Sequence, residues 1–260
     1  MTRLFLLLIL LLVACASYAQ VRVNKLVIES HQSYSLNNSD ILVADTLIMM
    51  DSSTLVLNKL KKENYIRAQV VIVGNNCTIE GRGLNGQAGR DGLPGTTPFG
   101  PCSDGAAGKN GGKGLDGTPG VNLFLYIEDV QLNGKLIIDL SGGNGGKGGN
   151  GGSGGGGSPG TVHCNGGNGG NGGNAGQGGN GADGGTLTLS SKKNPFIQSY
   201  IGSLINVYTY GGLPGEQGKV GHRGPAGLGP SRKNGKNGEP GLEAPTSLAG
   251  INGKVNLEKN

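Results

Sequence analysis

Along residues 20–80 apolar runs rich in Val, Ile, Leu and Thr, with a single Gly, are separated by short polar turns. The segments VRVNKLVIE (21–29), ILVADTLIMM (41–50), TLVL (54–57), YIRAQVVIV (65–73) and NCTIE (76–80) read as short strands. Turn formers lie between them at Asn37-Asn38-Ser39-Asp40, Asp51-Ser52-Ser53 and Gly74-Asn75-Asn76. No 3.6-residue repeat of useful length occurs, so no helix is predicted. Apolar β-like stretches recur at 121–140, 186–210 and 254–258. The predicted class is mainly β, with a short-strand base built as a β-solenoid or sandwich-like.

The first 19 residues have a different pattern. A short basic start, Met-Thr-Arg, precedes the apolar run LFLLLILLLVA, which fits a secretory signal peptide (1–19). The run is too short for a membrane span, which needs roughly 20 residues. Two processing readings stand side by side. Cleavage after Ser17-Tyr18-Ala19 releases a soluble chain beginning at Gln20, whereas Leu12-Val13-Ala14-Cys15 resembles a bacterial lipobox in which Cys15 carries a lipid anchor. The start also resembles secreted proteins of Bacteroidota, whose mature chains often begin with Gln. Either way the expected location is outside the cell or on its outer surface, where disulfides persist. Cys77, Cys102 and Cys164 then remain, enough for one pair and one spare.

Composition narrows the function classes. Of 260 residues 55 are Gly, Trp is absent and aromatics make up 4%. Gly has no side chain to bury, so one ordinary globular core is excluded and an enzyme is not expected. The formal charge is +5, with basic residues dispersed and not interleaved with aromatics, so nucleic acid is not an expected partner. Gly178-Gly179-Asn180-Gly181-Ala182-Asp183 matches part of a calcium-binding nonapeptide, but a single copy does not complete a site. Glu128 and Asp129, adjacent on a predicted strand, are expected to face opposite sides. No catalytic residue, metal ligand or cofactor is predicted.

After Gly81 a third period takes over. Gly recurs every third residue in blocks spanning 83–120, 142–185 and 212–253. A three-residue repeat matches polyproline II, whose bare face lets another chain pack closely. The middle block is Gly-Gly-Asn, with 25 Gly in 142–185, so two faces are bare and one side-chain row is left. That row reads Asn144, Lys147, Asn150 and Ser153, then Asn165, Asn168, Asn171 and Asn174, a predicted polar ladder.

Stretches such as GLPGEQGKVGHRGPAG (212–227) and NGEPG (237–241) resemble collagen-like Gly-x-y repeat proteins of bacterial secretions. The Gly blocks as a whole resemble the polyproline II bundles of snow-flea antifreeze protein and of phage tail-fibre adhesins. The resemblance implies packed hairpins. Each block breaks once near its middle, at 96–104, 158–165 and 228–234, which makes three hairpins of six segments rising from a common β base. Cys102 and Cys164 then lie at matching tips, where a disulfide would staple them. The expected function is a non-enzymatic structural or adhesive protein displaying these faces to extracellular matrix, a glycan or another surface partner, with self-association allowed. An ice-binding protein and a collagen-like trimer are the alternatives.

Overall fold

The computed structural model describes residues 20–194 and 197–258. The signal-peptide and Cys15 expectations fall outside the described residues. The protein is mainly β, with eleven strands among the described residues: β1 Gln20–Ile28, β2 Ser33–Ser35, β3 Ile41–Met49, β4 Thr54–Val56, β5 Glu63–Val73, β6 Cys77–Glu80, β7 Asn122–Leu132, β8 Leu136–Asp139, β9 Leu187–Ser191, β10 Ile205–Tyr208 and β11 Val255–Glu258. Of these, β2 has no counterpart in the predicted elements. Its three residues, Ser-Tyr-Ser, hold a single apolar side chain and leave no alternation to read.

Successive strands alternate between two parallel sheets. Odd strands form a six-stranded sheet in the order β1-β3-β5-β7-β9-β11, and even strands a five-stranded sheet in the order β10-β8-β6-β4-β2. Register stacks like on like. Leu42, Ile66, Leu125 and Leu189 align across the first sheet, as Leu55, Ile79 and Ile138 do across the second. These inward rows meet in one apolar core that also contains Leu47, Met49, Val71, Leu136 and Ile205. Burial of such rows is the main stabilising term of the base.

The turns from odd to even strands repeat a left-handed corner, with φ of 62° at His31, 58° at Ser52 and 54° at Asn76. The connections from even to odd strands differ from coil to coil. Residues 36–40 and 57–62 make the first two. The second is closed by a buried amide pair: Asn58 N–H donates to Asn64 Oδ1 (2.8 Å), and Asn64 Nδ2 donates to the Asn58 carbonyl (3.0 Å). At the same corner of the next three coils, after β6, β8 and β10, the chain makes its three long Gly-rich excursions.

The six-stranded sheet departs from strict alternation at one place. Glu128 and Asp129 are both half-buried and sit between buried Ile127 and Val130, so they share the outer side of β7. The expectation of opposite faces is corrected here. The strand pairing skips Glu128 opposite Gln69 and Gln69 opposite Asp45, and Asp45 with Thr46 and Gln69 with Val70 repeat the burial pattern on β3 and β5.

Asn64 is fully buried and serves both backbone groups of Asn58. Asn64→Ala leaves those groups unpaired and is expected to cost about 2–3 kcal/mol, read from urea unfolding of the full chain. A loss below about 0.5 kcal/mol would show that water replaces the amide there.

Candidate functional site

The Gly-rich excursions form the candidate functional surface. Each runs out and returns, its halves hydrogen-bonded antiparallel. In the first, Thr118, Leu115, Gly112, Lys109 and Ala106 donate their N–H groups to the carbonyls of Leu84, Gln87, Arg90, Leu93 and Thr96 at 2.7–3.0 Å. Neighbouring excursions pair in parallel. Gly86 donates to Asn144 and Gly145 to Leu213 in the outgoing layer, while Gly108 donates to Asn171 and Gly169 to Lys236 in the returning layer. The result is a slab two segments thick and three wide.

The slab inherits its register from the sheets. Residues 59 apart pair between the first two outgoing segments, as in Asn144 with Asn85, and 69 apart between the next two, as in Leu213 with Asn144. The even strands carry the same offsets, Cys77 opposite Leu136 and Leu136 opposite Ile205. The returning segments pair at 64 and 68, as Leu123 pairs with Leu187 and Leu187 with Val255. Each layer therefore continues one sheet.

Position in the slab explains the glycine content. The middle excursion has neighbours on both flanks. A methyl at Gly145 would run into the Gly179 carbonyl of the returning half, and one at Gly146 into the Gln87 carbonyl of the first excursion. Both N–H groups are used as well, Gly145 to Leu213 and Gly146 to Leu115. The outer excursions have a neighbour on one flank only, and one Gly per triplet suffices. The counts follow: 25 Gly in 142–185 against 13 in 83–120 and 12 in 212–253. The requirement is steric, since only Gly202 among the described glycines has a positive φ (84°).

The predicted ladder residues occupy the slab's broad faces. Asn144, Lys147, Asn150 and Ser153 line the outgoing face, and Asn168, Asn171 and Asn174 the returning one; Asn165 sits at the tip. Five of them have their side-chain acceptor engaged within the slab. Oδ1 of Asn144, Asn150, Asn168, Asn171 and Asn174 accepts from the N–H of Leu213, Lys219, Lys236, Glu239 and Leu242, each at 2.8–2.9 Å. Asn85, Asp91, Asp104, Asn110 and Asp116 do the same for the row before. The ladder thus ties parallel segments together, a role no sequence signal beyond the three-residue spacing marks.

The tips are fastened to each other. Cys102 and Cys164 form a disulfide with Cα atoms 6.0 Å apart, while Cys77 is free and buried. Across a sequence separation of 62 such a link is worth roughly 4 kcal/mol on the chain-entropy view. Around it, Cys102 N–H donates to the Pro159 carbonyl (2.8 Å), and buried Ser158 Oγ to that of Pro98 (2.9 Å). Beyond this frame Phe99 is fully exposed, and Val162 and Leu228 are 71% and 72% exposed. Among the described residues no group of three or more His, Cys, Asp or Glu is placed to hold a metal ion, and no helix is long and apolar enough to cross a membrane.

No protein-family model matches the chain. No curated protein matches it. Among solved structures, an antifreeze protein from the springtail Granisotoma rainieri, described as a nine polyproline type II helical bundle whose crystal waters match the ice lattice, aligns at 24% identity over 64% of this chain and 96% of its own, with a TM-score of 0.12. At that score the likeness carries no argument about this protein.

Two predictions follow from the slab's geometry. Gly149→Ala places a methyl against the Arg90 carbonyl and is expected to destabilise by about 3 kcal/mol or more, whereas Gly156→Ala, whose methyl meets only Pro225 and Thr97 side chains at 3.5–3.7 Å, is expected to be near neutral. Equal thermal shifts for the two variants would refute the steric account.

Asp116 accepts the Asn180 N–H and lies 3.3 Å from Lys113; the first contact chiefly, the second less, holds its pKa below the ordinary 3.8. A depressed folded pKa means that the contribution is complete above the unfolded value and is lost as pH falls through the folded one. NMR titration is expected to place the Asp116 midpoint under 3.8. Asp116→Asn keeps the acceptor and removes that acid-limb dependence, and Asp116→Ala removes both.

Proposed function

We propose that the chain is a non-enzymatic structural or adhesive protein of the extracellular space or the outer cell surface. On this reading the alternating strands wind as coils of a β-solenoid, and the three excursions are polyproline II hairpins, six segments that stand on it as a rigid slab. A bacterial secretory leader and the disulfide suit that setting. The partners are extracellular matrix, a glycan or another surface.

One observation supports the reading above others: a fully exposed Phe99 on a disulfide-stapled tip. Exposed apolar side chains on a mobile loop are commonplace. Held on a frame they keep their geometry, and a partner need not spend binding energy ordering them. The collagen-like alternative is disfavoured, because the Gly N–H groups a trimer would use between chains already bond within this one. The ice-binding alternative asks for a face poor in charge, and the outgoing face carries Asp91, Lys147, Glu216 and Lys219.

The test is adhesion. Beads coated with the full chain are expected to stay on at least one of a panel of matrix-protein, mucin and polysaccharide coats under flow. The variant Phe99→Ser/Val162→Ser/Leu228→Ser is expected to lose retention by at least about tenfold, with an unchanged melting curve. Retention on no coat, or equal retention of the variant, would overturn the proposal. Inhibition of ice recrystallisation by the same preparation would favour the ice-binding reading instead.

A further inference from the structure

The base carries a second site, independent of the hairpins and of the adhesive reading. At the aligned break in β3, β5 and β7 lies a groove of about 900 Å³ on the outside of the six-stranded sheet. It crosses the strands and does not run along them. Its lining includes Arg22, Asp45, Arg67, Tyr126, Glu128 and Lys192.

Register orders these residues. Arg22, Val43, Arg67 and Tyr126 form one row across β1, β3, β5 and β7. Asp45 and Glu128 stand at the skipped pairing position beside it, and Lys192 follows β9, its N–H bonded to the Ile127 carbonyl. Read strand by strand from β1 to the end of β9, the charges alternate: Arg22, Asp45, Arg67, Glu128, Lys192. At about 4.8 Å per strand the row extends for about 19 Å. Among the described residues none of the five forms an ion pair within 4.0 Å. The one hydrogen bond the side chain of any of them makes is from Gln69 Nε2 to Asp45 Oδ1, at 3.2 Å. Tyr65 and Phe124, stacked with ring centroids 4.6 Å apart, lie one outward row further along the same face.

Alternating charges without ion-pair partners select among ligand classes. A polyanion that gains three cations also meets two carboxylates, and a polycation meets the reverse. An extended peptide pairs its backbone with a sheet edge, but here the groove crosses a sheet face, and the strands on both sides of Asp45, Gln69 and Glu128 are paired to their neighbours. A hydroxyl both donates and accepts. A neutral chain with hydroxyls along both flanks can give protons to Asp45 and Glu128, take them from Arg22, Arg67 and Lys192, and lay its apolar ring faces against Tyr126. We infer that this groove binds a neutral oligosaccharide, lying across the strands from β1 to β9.

Isothermal titration of the full chain against a fixed panel tests this. The panel holds neutral hexasaccharides of glucose, N-acetylglucosamine, xylose and mannose, a galacturonate hexasaccharide, and an uncharged extended decapeptide. At least one neutral hexasaccharide is expected to bind saturably and to shift the backbone NMR signals of Gln69, Tyr126 and Glu128. Arg67→Ala and Tyr126→Ala are each expected to weaken that binding by at least tenfold, while Lys219→Ala on the slab leaves it unchanged. Binding of no neutral member, of the galacturonate or the peptide alone, or signal shifts confined to the hairpin tips would overturn the inference. So would unaltered affinity in the folded Arg67→Ala and Tyr126→Ala variants. Signal mapping on the unmodified chain decides the matter even if a variant fails to fold.

Discussion

A carbonyl oxygen and a methyl group cannot occupy one space, and half of this molecule is built on that exclusion. In the slab, peptide N–H groups reach carbonyls of neighbouring segments at 2.7–3.0 Å. That approach is open only where the intervening Cβ is missing, since a Cβ at most of these glycines would fall well inside 3.0 Å of another chain's backbone. The side-chain core of an ordinary domain is replaced here by peptide groups bonded to peptide groups. Such bonds are individually modest, and their number together with the close packing of the segments holds the slab.

The base makes that arrangement specific. Flexible Gly-rich chain has a large entropy to lose and many registers in which it could pair. The two sheets remove the ambiguity, because each hairpin leaves and re-enters at a defined strand, and each layer copies the offset of the sheet beneath it. Asn and Asp side chains then tie parallel neighbours at every triplet or every second one over much of their length, and the Cys102–Cys164 bond fixes the far end. Base, ladder and tip hold the slab at its root, along its length and at its end.

Much of the β character was legible. The runs ILVADTLIMM and YIRAQVVIV mark β3 and β5, because Val, Ile and Leu are concentrated there between turn formers. The three-residue glycine period was equally plain. Its partners were not, since a triplet records that a face is bare and not which neighbour covers it. The doubled glycines of the middle block show their meaning only when flanks are counted. The ladder residues were visible as a row, yet the direction of Asn144 Oδ1 toward Leu213 depends on an offset of 69 residues that no local pattern carries. The break at Glu128-Asp129 was hidden for a similar reason, because strict alternation is the default for a strand and the aligned exceptions at Asp45 and Gln69 are needed to see it.

The peptide-filled interior of the slab also bears on temperature. Unfolding the base exposes apolar rows such as Leu42, Ile66, Leu125 and Leu189, which raises the heat capacity and curves its stability downward on cooling. Unfolding the slab exposes mainly peptide groups, whose hydration has the opposite sign. The two parts therefore answer cooling in opposite senses: the apolar base loses part of its driving force, while the peptide-bonded excursions do not.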